Sequence, residues 1–169
     1  MANNQELRQP ALLAILKDER GASMIEMAVT AVVALSMIFG IMDFCRAMYV
    51  YHFTSYAAEE ATRYAIVRGA HWSGSSCTTT TTYACQATST NVTSFVQSIA
   101  PPGVSTSSMT VATTWPGTTV SGSTTGCSTA QAAGCLVQVK VTVSFNFILP
   151  FLPKSAFNFS GTSAKIIQE

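Results

Sequence analysis

Four of the five cysteines form two pairs with the same spacing, and their thiols are the groups of this chain best suited to covalent chemistry. Cys77 and Cys85 are separated by seven residues, and so are Cys127 and Cys135. In an oxidising compartment each pair could close its own loop as a disulfide, which would stabilise the fold by roughly 2–3 kcal/mol. Four cysteines allow three pairings. The alternative is a four-thiolate zinc site, although structural zinc ligands are usually separated by only about two to four residues.

The other residues capable of chemistry form no catalytic motif. The two histidines, His52 and His71, lie in a predicted helix and at the start of a predicted loop. The stretch from Gly69 to Val139 contains no Asp, Glu, Lys or Arg for acid–base work. We find no nucleophile motif and no glycine-rich phosphate loop, so we predict a protein that is not an enzyme and has no metal or cofactor. The fifth cysteine, Cys45, is predicted to be a small buried residue.

One carboxylate stands inside a long apolar stretch. Glu26 is the only charged residue between Ala22 and Met42, and Gly21 precedes it by five positions. A charge within lipid is costly, so such a residue usually has a function. Because Glu26 lies only one helical turn inside the stretch, a carboxylate at the membrane surface is the alternative.

The apolar stretch, residues 22–42, has the length of a transmembrane helix. Its 21 residues would span about 30 Å as a helix, which is the hydrocarbon thickness of a bilayer. Residues 1–21 form a polar leader. Lys17 and Arg20 adjoin the stretch on its N-terminal side and only Arg46 is close on the other, so the positive-inside rule places the N-terminus in the cytoplasm. The stretch is too long for a secretory signal, whose apolar region has about 7–15 residues.

The helix is predicted to continue through residues 43–70 as an amphipathic extension. This segment contains no Pro, and its first Gly is Gly69. Glu59 and Arg63 are four residues apart in the order that favours a helical ion pair. We therefore predict one helix from about Ala22 to about Arg68.

The composition of residues 71–169 predicts an exported domain. Only 10% of the whole chain is charged, and its formal net charge of +1 gives no electrostatic footprint for nucleic acid. The loops are rich in Ser, Thr and Gly, which is typical of a hydroxyl-covered surface outside the cytosol.

Hydrophobic patterning in this domain predicts an α+β fold, with a short helix and an antiparallel sheet of about three strands. Strict alternation from Leu136 to Phe147 predicts a strand with one buried face. Two further strands are predicted from Met109 to Trp115 and from Phe157 to Ile167. The short helix is predicted from the helical spacing of Val92, Phe95, Val96 and Ile99. Its predicted cap is Ser89, Thr90 or Asn91.

The first third of the chain resembles a known family. Gly21 before an apolar helix that carries Glu26 resembles a type IV prepilin cleavage site. The stretch from Arg20 to Ala70 is similar to the N-terminal domain of the TadE-like proteins, which are minor pseudopilins of tight-adherence (Tad/Flp) pilus systems. The similar positions are Arg20, Gly21, Glu26, Phe39, Gly40, Asp43, Phe44, Arg46, Ala47, Ala57, Ala58, Ala61, Arg63, Tyr64 and Ala65.

The resemblance implies a role in pilus assembly and thereby in surface adhesion. A prepilin peptidase would cut between Gly21 and Ala22, and Glu26 would then neutralise the new N-terminal ammonium of a neighbouring subunit. Asp43 and Arg46 would form a pair at a helix interface. The implied partners are the peptidase, the major pilin and other pseudopilins, the inner-membrane assembly platform and membrane lipid.

Two other functions are compatible with the residues. An uncleaved single-pass membrane protein could carry a disulfide-stabilised outer domain that binds a ligand. An envelope hydrolase on a helical stalk is a third possibility.

Overall fold

A computed structural model describes residues 19–70, 72, 86–129, 131–149 and 157–168. In chain order, these described residues form a long helix, a short helix, a single 3-10 turn and three strands. This order confirms the predicted α+β fold. The chain divides into two compact units, 1–43 and 44–169.

Helix α1 runs from Glu19 to Val67. It begins three residues before the predicted start at Ala22 and ends one residue before Arg68. No proline interrupts it, and Gly21 and Gly40 are its only glycines. Among the described residues it is the one helix that is long and apolar enough to cross a membrane, which indicates a membrane anchor.

Within the first unit, the apolar side chains of α1 are exposed. In the second unit, buried side chains recur every three to four residues along the same helix. They form one buried face, as an amphipathic helix requires. Most residues on this face are small, so another element can approach the helix backbone closely. The buried hydrophobic residues of this face are Ala47, Val50, Phe53, Ala57, Ala58, Ala61, Tyr64 and Ala65.

Helix α2 runs from Ser89 to Ser98 and buries Val92 and Val96. Its cap is Thr88, whose hydroxyl oxygen accepts a hydrogen bond from the Asn91 N–H at 3.2 Å. The sequence had predicted a cap one to three residues later, at Ser89, Thr90 or Asn91, and this was wrong. Thr88 takes the role because its backbone is extended, as a cap requires, whereas Ser89 is already helical.

The sheet has three antiparallel strands, β1 (Met109–Thr114), β2 (Leu136–Phe145) and β3 (Phe157–Ile166), in the spatial order β1-β2-β3. The central strand buries one face, as its alternation predicts, and ends two residues before Phe147. Ile167 lies just beyond β3, where its N–H donates to the Cys135 carbonyl at 2.8 Å. The buried residues of β2 are Val137, Val139, Val141, Val143 and Phe145.

Strand β3 packs directly on the backbone of α1 at Gly161. A Cβ atom at this position would lie 2.6 Å from the Ser55 nitrogen, which is closer than real Cβ contacts, and closer still to the Thr54 carbonyl. A glycine inside a strand often marks such a close approach. The core of the second unit is therefore built on contact between the small-residue face of the helix and the sheet.

Cys45 was predicted to be buried, and this was wrong, because it is a free and exposed cysteine. The buried positions on either side of it are Asp43 and Ala47. A residue midway between them points to another side of the helix, since successive helical residues are rotated by about 100°.

Candidate functional site

Gly21 is the third residue of helix α1 and is exposed. A side chain built at this position would meet no atom within 4 Å. In a regular helix the Gly21 carbonyl accepts a hydrogen bond from the N–H of Ile25. Hydrolysis of the bond to Ala22 needs access to that carbonyl, so a peptidase would have to unwind the first turn. Glycine makes this easier, because it costs about 1 kcal/mol of helix stability relative to alanine.

Glu26 lies in a shallow groove along one face of α1. The groove is formed by residues at helical spacing, of which only Met27 is large and apolar. The Thr30 hydroxyl donates to the Glu26 backbone carbonyl at 2.8 Å, which holds that polar side chain against its own helix. The result is a face with a carboxylate at one end and small side chains beyond it. The lining residues are Ser23, Glu26, Met27, Thr30, Ala31 and Ala34.

Ala22 and Glu26 are four positions apart, so they share one face of α1 and are about one turn apart. Cleavage after Gly21 would therefore create an ammonium group close to the Glu26 carboxylate. A carboxylate near a helix N-terminus also interacts favourably with the helix dipole, typically by about 0.3–1 kcal/mol. The arrangement can bind a cation at the start of the shortened helix.

The structure places Asp43 and Arg46 in different surroundings. Asp43 is 4% exposed, which is unusual for a carboxylate. Arg46 is exposed, and its guanidinium carbon lies 5.2 Å from the ring centre of Phe145 at the end of β2. This is a cation–π distance. The pairing of Asp43 with Arg46 stays a prediction.

The second cysteine pair forms a disulfide, Cys127–Cys135, within its own loop. Both residues are buried. The backbone beside this bond is held on two sides, because the Leu136 N–H donates to the Thr118 carbonyl and the Cys135 carbonyl accepts from Ile167. The first pair, Cys77 and Cys85, lies outside the described residues, as does His71.

A group of charges joins the helix extension to strand β3. Glu59 accepts from Arg63 at 2.9 Å and from Lys165 at 3.2 Å. Both contacts lower the pKa of the Glu59 carboxyl below its ordinary value, and the contact with Lys165 has the larger effect. The group lies beyond residues 22–42 and ties the helix to the sheet.

Several residues that hold the second unit together could not be identified from sequence patterns. Gln131 connects two segments, because its backbone carbonyl accepts from the Ala70 N–H and its side-chain amide donates to the Ala87 carbonyl at 2.8 Å. Arg68 lies over the ring of Tyr64 at 4.2 Å. Only Gly161 carried a recognisable signal, as a glycine within a strand pattern. Among the described residues, no three His, Cys, Asp or Glu side chains cluster as metal ligands would.

Comparison with known proteins gives one result. No curated protein and no solved structure matches the chain. The match of a protein-family model covers Gly21, Glu26, Asp43 and Arg46 and ends before the cysteine loops and the sheet. Residues 21–63, about a quarter of the chain, match the family described as TadE-like protein, which confirms the predicted resemblance and indicates a function related to the Tad pilus.

Proposed function

We propose that this chain is a minor pseudopilin, cut after Gly21 by a prepilin peptidase, which takes part in assembling a tight-adherence pilus and so in surface adhesion. The observation that carries the proposal is the arrangement at the start of α1. Gly21, Ala22 and Glu26 occur together there, within the residues that match the TadE-like family.

The proposed cut leaves a mature chain that begins at Ala22. Residues 22–42 cross the inner membrane once, with the N-terminus in the cytoplasm, since Lys17 and Arg20 lie before the span. Residues 43–70, which are helical as far as Val67, lie outside the membrane, and residues 71–169 form the exported domain. The protein acts by binding other subunits rather than by catalysis.

Glu26 is proposed to act in assembly. The ammonium group of Ala22 would be unpaired in an apolar bundle of helices, and a buried unpaired charge costs on the order of 3–5 kcal/mol. The Glu26 carboxylate of the subunit or of its neighbour removes this cost. Such a pair would select the register in which subunits pack more than it would add stability. The small side chains of Ala31 and Ala34 leave room for a neighbouring helix along the same face.

The proposed partners follow from this role. The peptidase binds the segment around Gly21, and the major pilin and other pseudopilins pack along the groove at Glu26. The assembly platform of the inner membrane and the surrounding lipid contact the rest of the span.

N-terminal sequencing of the mature protein tests the proposal. Expression together with a cognate prepilin peptidase should give a chain that begins at Ala22, and Gly21→Leu should block this. Gly21→Leu is a clean probe because the position is open in this structure. Gly40→Leu is the matched control, since it makes the same change in an equally open part of the helix and should still be cut. An intact N-terminus in the presence of active peptidase would contradict the proposal and favour the uncleaved single-pass protein.

A further inference from the structure

A pocket of about 380 Å³ lies within the second unit, where α1, the loop before β1 and the end of β2 meet. Its volume is within the range of roughly 300–1,000 Å³ that is typical of sites for small ligands. The buried side chains of Val50, Val104 and Val143 form an apolar part of its wall. The rest of the wall is polar and combines one cation with hydroxyl and amide groups. The polar lining residues are Arg46, Tyr49, Ser105, Ser108, Ser144 and Asn146.

The charge of the pocket and of its surroundings favours an anion. Among the described residues, Arg46 is the one charged side chain in the wall, and no Asp or Glu lines it. The chain contains no Asp or Glu from Ala61 to Gln168, and residues 44–169 carry six Lys and Arg against three Asp and Glu. A guanidinium has five N–H donors, so Arg46 can bind a ligand even if it also pairs with Asp43, as predicted. A negatively charged ligand is therefore attracted to this part of the protein.

The two serines of the wall whose hydrogen bonds are defined can only accept from a ligand. The Ser108 hydroxyl donates to the Ser105 carbonyl at 2.8 Å. The Ser144 hydroxyl donates to Oδ1 of Asn158 at 2.9 Å. A hydroxyl has one proton and two lone pairs, so both oxygens retain a lone pair but no proton for a ligand. A matching ligand must supply hydrogen-bond donors of its own, which a simple carboxylate or a sulfate group does not have.

The guanidinium of Arg46 is held in one place. Its central carbon lies 5.2 Å from the ring centre of Phe145, a core residue that is 5% exposed. A guanidinium is a planar group that binds a carboxylate through two parallel hydrogen bonds. Its position beside a fixed ring means that little side-chain freedom is lost when a ligand binds.

We propose that this pocket binds an acidic sugar, which is a ligand with a carboxylate and several hydroxyl groups. The carboxylate binds Arg46, and hydroxyl groups of the sugar donate to Ser108 and Ser144. Tyr49 is 49% exposed and presents a ring against which the apolar face of a sugar can pack. The ligand is either a free sugar acid or one residue of an acidic polysaccharide. The site lies wholly within residues 44–169 and does not depend on cleavage after Gly21, so each proposal can fail without the other.

Ligand-observed NMR titrations test the inference. The full chain is kept in a detergent without sugar headgroups and is titrated with D-glucuronate, D-glucose, glutarate and a short glutamate peptide. Glucose has the hydroxyl groups without the charge, and glutarate has the charge without the hydroxyl groups. An oligogalacturonate distinguishes the two sources of the ligand, because it binds only if the pocket accepts a sugar within a polymer.

Two kinds of variant separate the two parts of the site. Arg46→Gln removes the charge, and Ser144→Ala removes one acceptor at an exposed position, so it tests the site if Arg46→Gln folds poorly. Lys140→Gln is the matched control for charge, since it removes a cation of the same unit that does not line the pocket. Ser160→Ala is the matched control for the hydroxyl group.

D-Glucuronate should bind the wild type more tightly than glucose or glutarate does. Arg46→Gln should weaken this binding by about tenfold or more, because a hydrogen bond to a charged group is lost. Ser144→Ala should weaken the binding of glucuronate but not that of glutarate, and the two control variants should bind as the wild type does.

Three results would overturn the inference. The first is that glucuronate does not bind the wild type. The second is that Lys140→Gln weakens binding as much as Arg46→Gln, because attraction would then depend on net charge and not on the pocket. The third is that glutarate or the glutamate peptide binds as tightly as glucuronate, which would assign the pocket to an acidic protein segment.

Discussion

Gly161 of strand β3 and Ser55 of helix α1 are so close that no side chain fits between them. A Cβ atom at position 161 would lie 2.6 Å from the Ser55 nitrogen. The obstructing atoms belong to the helix backbone, so they cannot move aside as the end of a flexible side chain would. This contact sets the distance between the helix and the sheet.

Gly161→Ala should therefore destabilise the second unit, residues 44–169. Overpacking a well-filled core costs about 1–3 kcal/mol, and this site is at the upper end because backbone must shift. The measurement is the midpoint of thermal unfolding in detergent, followed by circular dichroism. Gly40→Ala is the matched control, because it adds the same methyl group to open space within a helix and should not lower the midpoint. Equal midpoints for Gly161→Ala and wild type would show that the approach is looser than described.

Loss of the Cys127–Cys135 bond should also destabilise the protein. A disulfide that closes a short loop stabilises by roughly 2–3 kcal/mol, mainly by restricting the unfolded chain. Cys127→Ser should lower the unfolding midpoint. Reductant should lower the midpoint of the wild type by breaking this bond, and this effect should be absent in Cys127→Ser. Cys45→Ser, which changes an exposed free thiol, should have no such effect. The bond has no stabilising role if both variants unfold together with the wild type.

Acid should weaken the contact between helix and sheet at Glu59. Its pKa is lowered from the ordinary value of 4.5, chiefly by Lys165 and then by Arg63. The ionised form is thus favoured in the folded state, so the stabilisation is present above pH 4.5 and is lost as the pH falls through the lowered pKa. Glu59→Gln should remove this part of the acid sensitivity, and Lys165→Met should remove most of it. The effect should be small, because the pair is exposed to solvent. Unfolding curves from pH 3 to pH 7 would detect it, and an unchanged profile for Glu59→Gln would argue against the contact.

Glu26→Gln should separate cleavage from assembly. The amide keeps the shape of the side chain, so cutting after Gly21 should continue, but it cannot neutralise the ammonium group of Ala22. We expect a processed protein that supports no pili and does not co-purify with pilin-like subunits, with Glu26→Asp intermediate. Immunoblots report processing, and complementation with pilus counts reports assembly. Normal piliation by Glu26→Gln would mean that the carboxylate merely lies at the membrane surface.

The fold could be predicted where a single periodic pattern decides the structure. The alternation in β2 gave both the strand and its buried face, because one side of that strand packs on the core. The long helix followed from apolar length and the absence of proline. The start of this helix at Glu19 could not be predicted. The sequence signal at Gly21 marks the proposed cleavage site and not a helix cap.

The site could be predicted in part for a related reason. Gly21 and Glu26 are local in sequence, and their spacing alone carries the signal. Gly161 meets Thr54 and Ser55 only through the tertiary fold, and no local pattern identifies the partners of such a glycine. Cys45 was predicted to be buried from residue type, but the face of the helix on which it lies decides its exposure.

The salt bridge between Lys165 and Glu59 joins residues 106 positions apart, which bears on the order in which the domain folds. Contacts of such long range are slow to form, because loop closure must precede them. The helix cannot cover its small-residue face at Gly161 until β3 is available to pack on it. Until then β2 has one unpaired edge, and its valine-rich face is open to other chains, which is a common route to aggregation. A chain that has been made only as far as β2 should therefore aggregate more readily than the finished fold would suggest.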